Sequence, residues 1–332
     1  MLNKKNRKRF HMYSANAISF ASLDLARYSE IPESIHNDHI GALKALMYAN
    51  KYLIEGSEPQ EKFLLTKKMS LISKEAGYIA NRLKRFAKIN FINLHDYGLN
   101  ESLSLITPLL EQGRLSKYVM ASQSEMINDQ WANSARIHAS RYDIKLDTKC
   151  LKTNFDIYGY QSALSSLAPV DQDGTNLFFM GQSSLGSYLE PARILKNTWR
   201  SMHCGDYLVI SQDLYNPGTE KFWVGNYINF IAPEKNFAVT KEFADDLSRD
   251  CPIEVIWEEK NAFRGIKFRV EIQEPLRFAN VDLQEKQKVD IFRSARFTEL
   301  ELKKMFLKLD FRIVQILYGD NMDNALFVLQ RI

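Results

Sequence analysis

Four short stretches of the chain combine residue types able to hold a small ligand. The first, Asn93-Leu94-His95-Asp96-Tyr97-Gly98-Leu99-Asn100, follows an apolar run and opens an amphipathic one. Gly98 lets backbone approach a ligand closely, and the free amides at the start of the following helix favour a carboxylate or phosphate. Nucleotide-binding fingerprints place two or three glycines in such a turn; this one has a single glycine, so an ordinary strand-to-helix turn stays open as a reading. Ser122 stands where nucleoside-binding folds put an acidic residue on both ribose hydroxyls, and its hydroxyl can bond only one. Asn154-Phe155 pairs an amide with a ring, suited to hydrogen-bond and stack on an adenine or simply to cap the next helix. The fourth stretch, Leu177 to Ser187, carries Gly181.

These stretches sit where a regular alternation of strands and helices would put them. Strands are expected over Ile89–Leu94, Lys117–Ala121, Lys149–Thr153, Asn176–Met180 and Tyr207–Gln212. Between them the periodicity predicts helices over Glu101–Glu111, Gln123–Arg141, Asp156–Leu167 and Tyr188–Met202. Such alternation implies parallel pairing through right-handed crossovers, hence a doubly wound α/β sheet. Ligands of these sheets lie beyond the carboxyl ends of the strands, which singles out the loops after Leu94, Ala121, Thr153, Met180 and Gln212. Upstream, His36–Ile54 and an amphipathic stretch from Ser57 to Phe86 read as helical. Downstream, the rhythm breaks at Asn216-Pro217-Gly218; Ile253–Glu258 and Ile266–Ile272 then alternate like antiparallel strands within a mixed segment reaching about Arg293. A helix over Thr298–Leu309 and two β-like runs, Phe311–Leu317 and Ala325–Gln330, follow.

Composition narrows the function classes. The 332 residues are 45% hydrophobic and 25% charged, ordinary globular values. The longest apolar runs fall far short of the roughly 20 residues that cross a bilayer, so no membrane partner is expected. The basic cluster Lys4, Lys5, Arg7, Lys8 and Arg9 is followed by His11, Ser14, Asn16 and Ser19, which interrupt the pattern of a signal peptide. That cluster holds most of the net charge of +4 and reads as a solvated tail, not a nucleic-acid surface. Cys150, Cys204 and Cys251 share no metal or redox spacing, and their odd number suits a reducing cytoplasm. His36-Asn37-Asp38-His39 lacks the further ligands a metal needs, and no metal site is expected. No Ser-His-Asp signature is present.

Larger segments carry a resemblance. Leu177-Phe178-Phe179-Met180-Gly181-Gln182-Ser183-Ser184-Leu185-Gly186-Ser187 resembles Phe-Leu-Gly-Ser-Thr-Ile-Gly-Asn of the histidine Nα-methyltransferases of ergothioneine biosynthesis, with one extra residue. Cys204-Gly205-Asp206-Tyr207-Leu208-Val209-Ile210-Ser211-Gln212-Asp213-Leu214 is similar to that family's Pro-Gly-Asp-x-Leu-Leu-x-Gly-x-Asp-Leu, and Phe292-Arg293-Ser294-Ala295-Arg296-Phe297 to its Glu-x-Ser-x-Lys-Phe. Asn93 to Ser102 then falls on the first cofactor loop and Tyr118 to Met126 on a Tyr-Val-x-x-Asp-x-Ser segment, so the resemblance spans about residues 85 to 332.

The resemblance implies a Rossmann-like methyltransferase core with a mostly parallel seven-stranded sheet, over 72–215 plus 295–332. A smaller α+β substrate domain would comprise 1–71 plus 216–294. It implies S-adenosylmethionine as cofactor, held by Asp96, Gly98, Asn100, Ser122, Asn154, Phe155 and Gly181. Three of the family's cofactor features are altered: Gly-x-Gly-x-Gly becomes Asp96-Tyr97-Gly98-Leu99-Asn100, the ribose acid becomes Ser122, and the adenine-side Asp becomes Asn154. Losing one bidentate charge-assisted pair costs on the order of 1.5–3 kcal/mol. A methyltransferase fold that has lost catalysis and serves as a binding partner is therefore the alternative. On the substrate side the resemblance assigns Ser187, Tyr227, Phe292 and Ser294, with Tyr227 orienting the nucleophile. Phe292 replaces the carboxylate that binds imidazole, which disfavours histidine and favours a more apolar or aromatic amino-acid-like molecule, as the fungal dimethylallyltryptophan N-methyltransferases accept.

Overall fold

The computed structural model describes residues 62–94, 99–122, 125–153, 164, 173–181, 184–188, 190–231, 253–260, 263–271, 273, 275–278, 281–320 and 322–332. The expected helices over 36–54 and 156–167 lie outside the described residues, Leu164 excepted, as do Asp96, Gly98, Asn154 and Phe155.

The chain divides into two compact units, one formed by Glu61–Asn216 with Arg296–Ile332, the other including Pro217–Ala295. The first unit is built on a seven-stranded sheet. Its strands are β1 (Lys88–Leu94), β2 (Leu115–Ser122), β3 (Asp147–Lys152), β4 (Gly174–Met180), β5 (Tyr207–Asp213), β11 (Phe311–Tyr318) and β12 (Asn324–Arg331). They lie in the order β11-β12-β5-β4-β1-β2-β3. β1 to β5 pair in parallel, while β12 runs antiparallel between β5 and β11. This is the doubly wound, Rossmann-like methyltransferase arrangement. Strand order reverses between β1 and β4, which makes their carboxyl ends the topological switch point.

Side-chain alternation sorts the sheet into two apolar faces. Ile92, Leu94, Val119, Ala121, Phe178, Met180, Leu208 and Ile210 point to one face and join Ile194 and Leu195 of α4 (Pro191–Ser201) and Leu302 and Phe306 of α6 (Glu299–Lys308). Phe91, Tyr118 and Phe179 point to the other, where Phe91 stacks on Tyr118 at 5.5 Å between centroids and meets Phe179 at 6.0 Å. All three rings are buried, each contributing roughly 1.5–3 kcal/mol. The helices α1 (Lys62–Arg82), α2 (Leu99–Glu111) and α3 (Glu125–Ser140) alternate with β1 to β3, α1 packing on α2 and α3 on β2 and β3. The expected helix from Tyr188 is shorter: Ser184–Ser187 form a 3-10 turn and α4 starts at Pro191, whose fixed φ and missing N–H suit a first turn.

In the second unit, β6 (Ile253–Lys260), β7 (Phe263–Glu271) and β10 (Lys288–Ala295) form an antiparallel sheet in the order β10-β7-β6. β8 (Leu276–Phe278) and β9 (Val281–Leu283) make a separate hairpin, and α5 (Glu220–Ile231) packs on β6 and β7. Among the described residues, no helix is long and apolar enough to cross a membrane.

Candidate functional site

The two ends of the seven-stranded sheet treat buried polar groups differently. At the amino-terminal end they are paired. Asp206, just before β5, accepts from Asn176 N at 3.0 Å, Asn176 Nδ2 at 3.1 Å, His203 N at 2.7 Å and Thr175 Oγ1 at 3.4 Å. Asn176 Oδ1 in turn accepts from Asn90 Nδ2 at 3.1 Å. The Gly205-Asp206 pair that resembles a family motif is thus a structural knot on the side away from the ligand edge. Burial holds the Asp206 carboxyl above its ordinary range, and the bonds from His203 and Asn176 pull the other way.

At the carboxyl-terminal end, several buried acceptors lack a partner: Asn93 Oδ1 on β1, Ser184 Oγ after β4, Gln212 Oε1 on β5, and Asn128 Oδ1 in α3. Asn324 Oδ1, opposite Asp213 in the β12–β5 ladder, belongs to the same edge. Folded proteins rarely leave such atoms unbonded, because each forgoes about 1–3 kcal/mol. Their gathering on one edge marks that edge as the place where a ligand can supply the missing bonds. Sequence reading did not single these residues out; the available signal was a polar residue closing an otherwise apolar strand, as Asn93 does in Lys88–Leu94.

Asn93 is the best defined of them. Its Nδ2 donates to Tyr118 Oη at 3.2 Å, and the same hydroxyl lies 3.2 Å from Ser102 Oγ. Burial pushes the Tyr118 hydroxyl up to about 12, so it keeps its proton and both bonds at neutral pH. The bond from Nδ2 fixes the amide and leaves Oδ1 as the open acceptor. Asn93 lies opposite Phe179 in the β1–β4 register, and Gly181 follows two residues later. A methyl group added at Gly181 would lie 2.5 Å from Glu101 Oε2 and 2.9 Å from the Phe179 ring. Glycine is required there by the approach of this chain's own carboxylate.

The remaining candidates fall into two sets. Ser122 ends β2, one strand away from Asn93, and is buried; its carbonyl accepts from Thr153 N at 2.8 Å and Asn128 Nδ2 at 3.4 Å. Asn100 stands in the first turn of α2, and Ser187 closes the 3-10 turn after Gly181. Tyr227 on α5 and Phe292 and Ser294 on β10 belong to the other unit. Phe292 and Ser294 are two apart on one strand and share a face of it. Ser294 is buried, and a side chain at Gly265 would collide with its carbonyl. At the end of β5, Arg296 Nη2 meets Asp213 Oδ2 at 3.3 Å in a fully buried ion pair.

No family model and no curated protein sequence matches this chain. Among solved structures it is similar to magnesium protoporphyrin IX methyltransferase from Synechocystis PCC 6803 with bound SAH. That match has 9% identity and a TM-score of 0.48, covering 91% of this chain and 100% of that one. It is also similar to 1,6-didemethyltoxoflavin-N1-methyltransferase from Burkholderia thailandensis, at 11% identity and a TM-score of 0.40, over 88% and 90% of the two chains. A third is the mitomycin 7-O-methyltransferase, at 11% identity and 0.42, over 97% of this chain and 68% of that one.

Proposed function

We propose that this protein is an S-adenosylmethionine-dependent methyltransferase acting at nitrogen on an amino-acid-like small molecule other than histidine. The observation that carries the reading is the set of partnerless buried acceptors along the carboxyl edge of a sheet of this topology, with Asn93 at the switch point. When bound, the cofactor would supply an electrophilic methyl group on a sulfonium. Such a transfer needs little covalent help from the protein: the nucleophile must be held in line and water kept out. Gly181, Ser122 and Asn100, with Asp96, Gly98, Asn154 and Phe155, are the residues we assign to the cofactor. Ser187, Tyr227, Phe292 and Ser294 are assigned to the acceptor, Tyr227 orienting its nitrogen. Calorimetry with S-adenosylmethionine and S-adenosylhomocysteine tests the reading, and absence of binding at millimolar ligand by folded protein rejects it.

Ser122 favours a second reading. Its complete burial and the use of its carbonyl within the sheet suit a methyltransferase-fold protein that has given up the ribose contact and serves as a binding partner. A nucleoside seen in a crystal grown with S-adenosylhomocysteine would exclude the strongest form of this alternative.

A further inference from the structure

The residues converging over Gly181 share one electrostatic character. Glu101 brings a fully buried carboxylate, Phe179 a ring edge, and Asn93 an amide oxygen that no donor satisfies. The three are contiguous. Asn93 faces Phe179 across the β1–β4 ladder, and Glu101 Oε2 and the Phe179 ring both press on the point above Gly181. Ser102, next to Glu101 on α2, closes the cluster through Tyr118 to Asn93. They meet at the switch point, where a sheet of this order receives its ligand.

We propose that Glu101, Asn93 and Phe179 form an onium-recognising site at the carboxyl ends of β1 and β4, which reads the positive charge of a bound ligand. A carboxylate in low dielectric, an oriented amide oxygen and an aromatic ring each lower the energy of a cation, and each disfavours a phosphate or carboxylate at the same point. The inference rests on the cofactor reading above and deepens it. A site of this kind separates a sulfonium from the neutral thioether left after methyl transfer, so it would hold the loaded cofactor and release the spent one. The same chemistry would also receive the ammonium of the amino-acid moiety.

The test measures dissociation constants by calorimetry for four adenosine derivatives. S-adenosylmethionine carries both cations, S-adenosylhomocysteine only the ammonium, 5′-deoxy-5′-(dimethylsulfonio)adenosine only the sulfonium, and 5′-methylthioadenosine neither. The full chain binds the methylated cofactor about tenfold more tightly than S-adenosylhomocysteine if the sulfonium is read, one charge contact being worth on the order of a decade of affinity. Glu101→Gln abolishes that preference and leaves 5′-methylthioadenosine unchanged. If the ammonium is read, Glu101→Gln weakens both amino-acid-bearing ligands equally and spares the two without it. Asn93→Asp, with a melting transition like that of the parent, moves the preference the opposite way. A Glu101→Gln effect equal on all four ligands, or absent from all, overturns the proposal while binding of 5′-methylthioadenosine keeps the cofactor reading. Failure of every derivative to bind the parent protein overturns both.

Discussion

Tyr118 spends its hydroxyl on holding two neighbours, which makes it the residue whose loss is easiest to read. Tyr118→Phe keeps the stack on Phe91 but leaves Asn93 Nδ2 and Ser102 Oγ without their shared partner. Urea unfolding should show a loss of about 1–3 kcal/mol, the cost of orphaned buried polar groups. Asp206 gives a pH-dependent prediction. The folded protein keeps this proton to higher pH than the unfolded chain, because burial raises its pKa. Its contribution is therefore most favourable below the unfolded value and declines as pH rises through the raised one. Melting curves between about pH 4 and pH 7 should show that slope in the parent and a flatter profile in Asp206→Asn. Unchanged slopes would contradict the assignment. At this scale the sequence was only half legible. Asn90 and Asn93 both interrupt one apolar run, yet Asn90 is satisfied by Asn176 at the amino end and Asn93 has an open oxygen at the carboxyl end. Only strand direction and neighbours separate them, and those are tertiary facts. Glu101 was passed over for a similar reason: a glutamate in a first helical turn reads as a solvated charge complementing the dipole, whereas here it is fully buried.

Periodicity made the elements of the seven-stranded unit readable. Each of β1 to β5 carries a strongly apolar run or stands between turn signals, and the alternation with helices fixed their parallel pairing. The end of that unit is anchored by a reciprocal cap on α6. Glu301 N donates to Thr298 Oγ1 at 3.2 Å, and Thr298 N donates to Glu301 Oε2 at 2.7 Å. Thr298→Ala should cost about 1 kcal/mol in thermal unfolding, and Thr298→Ser should recover most of it. The inserted unit was less legible. α5 lay in a stretch read as mixed, because Phe222, Trp223, Tyr227 and Phe230 are aromatic residues that weakly favour strands until tertiary contacts decide. β10 was not anticipated either: Lys288–Ala295 gains its strand identity from pairing with β7 across an irregular register. The spacing of Phe292 and Ser294 acquires a meaning only once that strand exists.

For the whole molecule, the points where the chain leaves and re-enters the seven-stranded unit are tied together. Tyr215 N donates to Phe297 O at 2.8 Å, Leu214 and Phe297 form a parallel bridge, and Arg296 pairs with Asp213. Closing that gap needs only a short loop. A chain in which residues 218–294 are replaced by a few glycines and serines should fold, with one cooperative transition and the far-ultraviolet signature of an α/β sheet; a molten product would refute this. Arg296→Met in the intact chain should cost about 3–5 kcal/mol, since it abandons a buried carboxylate at Asp213. The placement of β12 has a further consequence, for synthesis. It follows β11 in the chain yet lies inside it, between β11 and β5. A ribosome therefore releases β11 before the strand that joins it to the sheet exists, and the flank of β5 stays open until Asn324–Arg331 has emerged. Through that interval the nascent chain presents an unpaired, wholly buried-type strand, Tyr207–Asp213, as a template for other chains. The yield of this protein during translation should consequently depend on how quickly its final strand is delivered and on which chaperone shields β5 meanwhile.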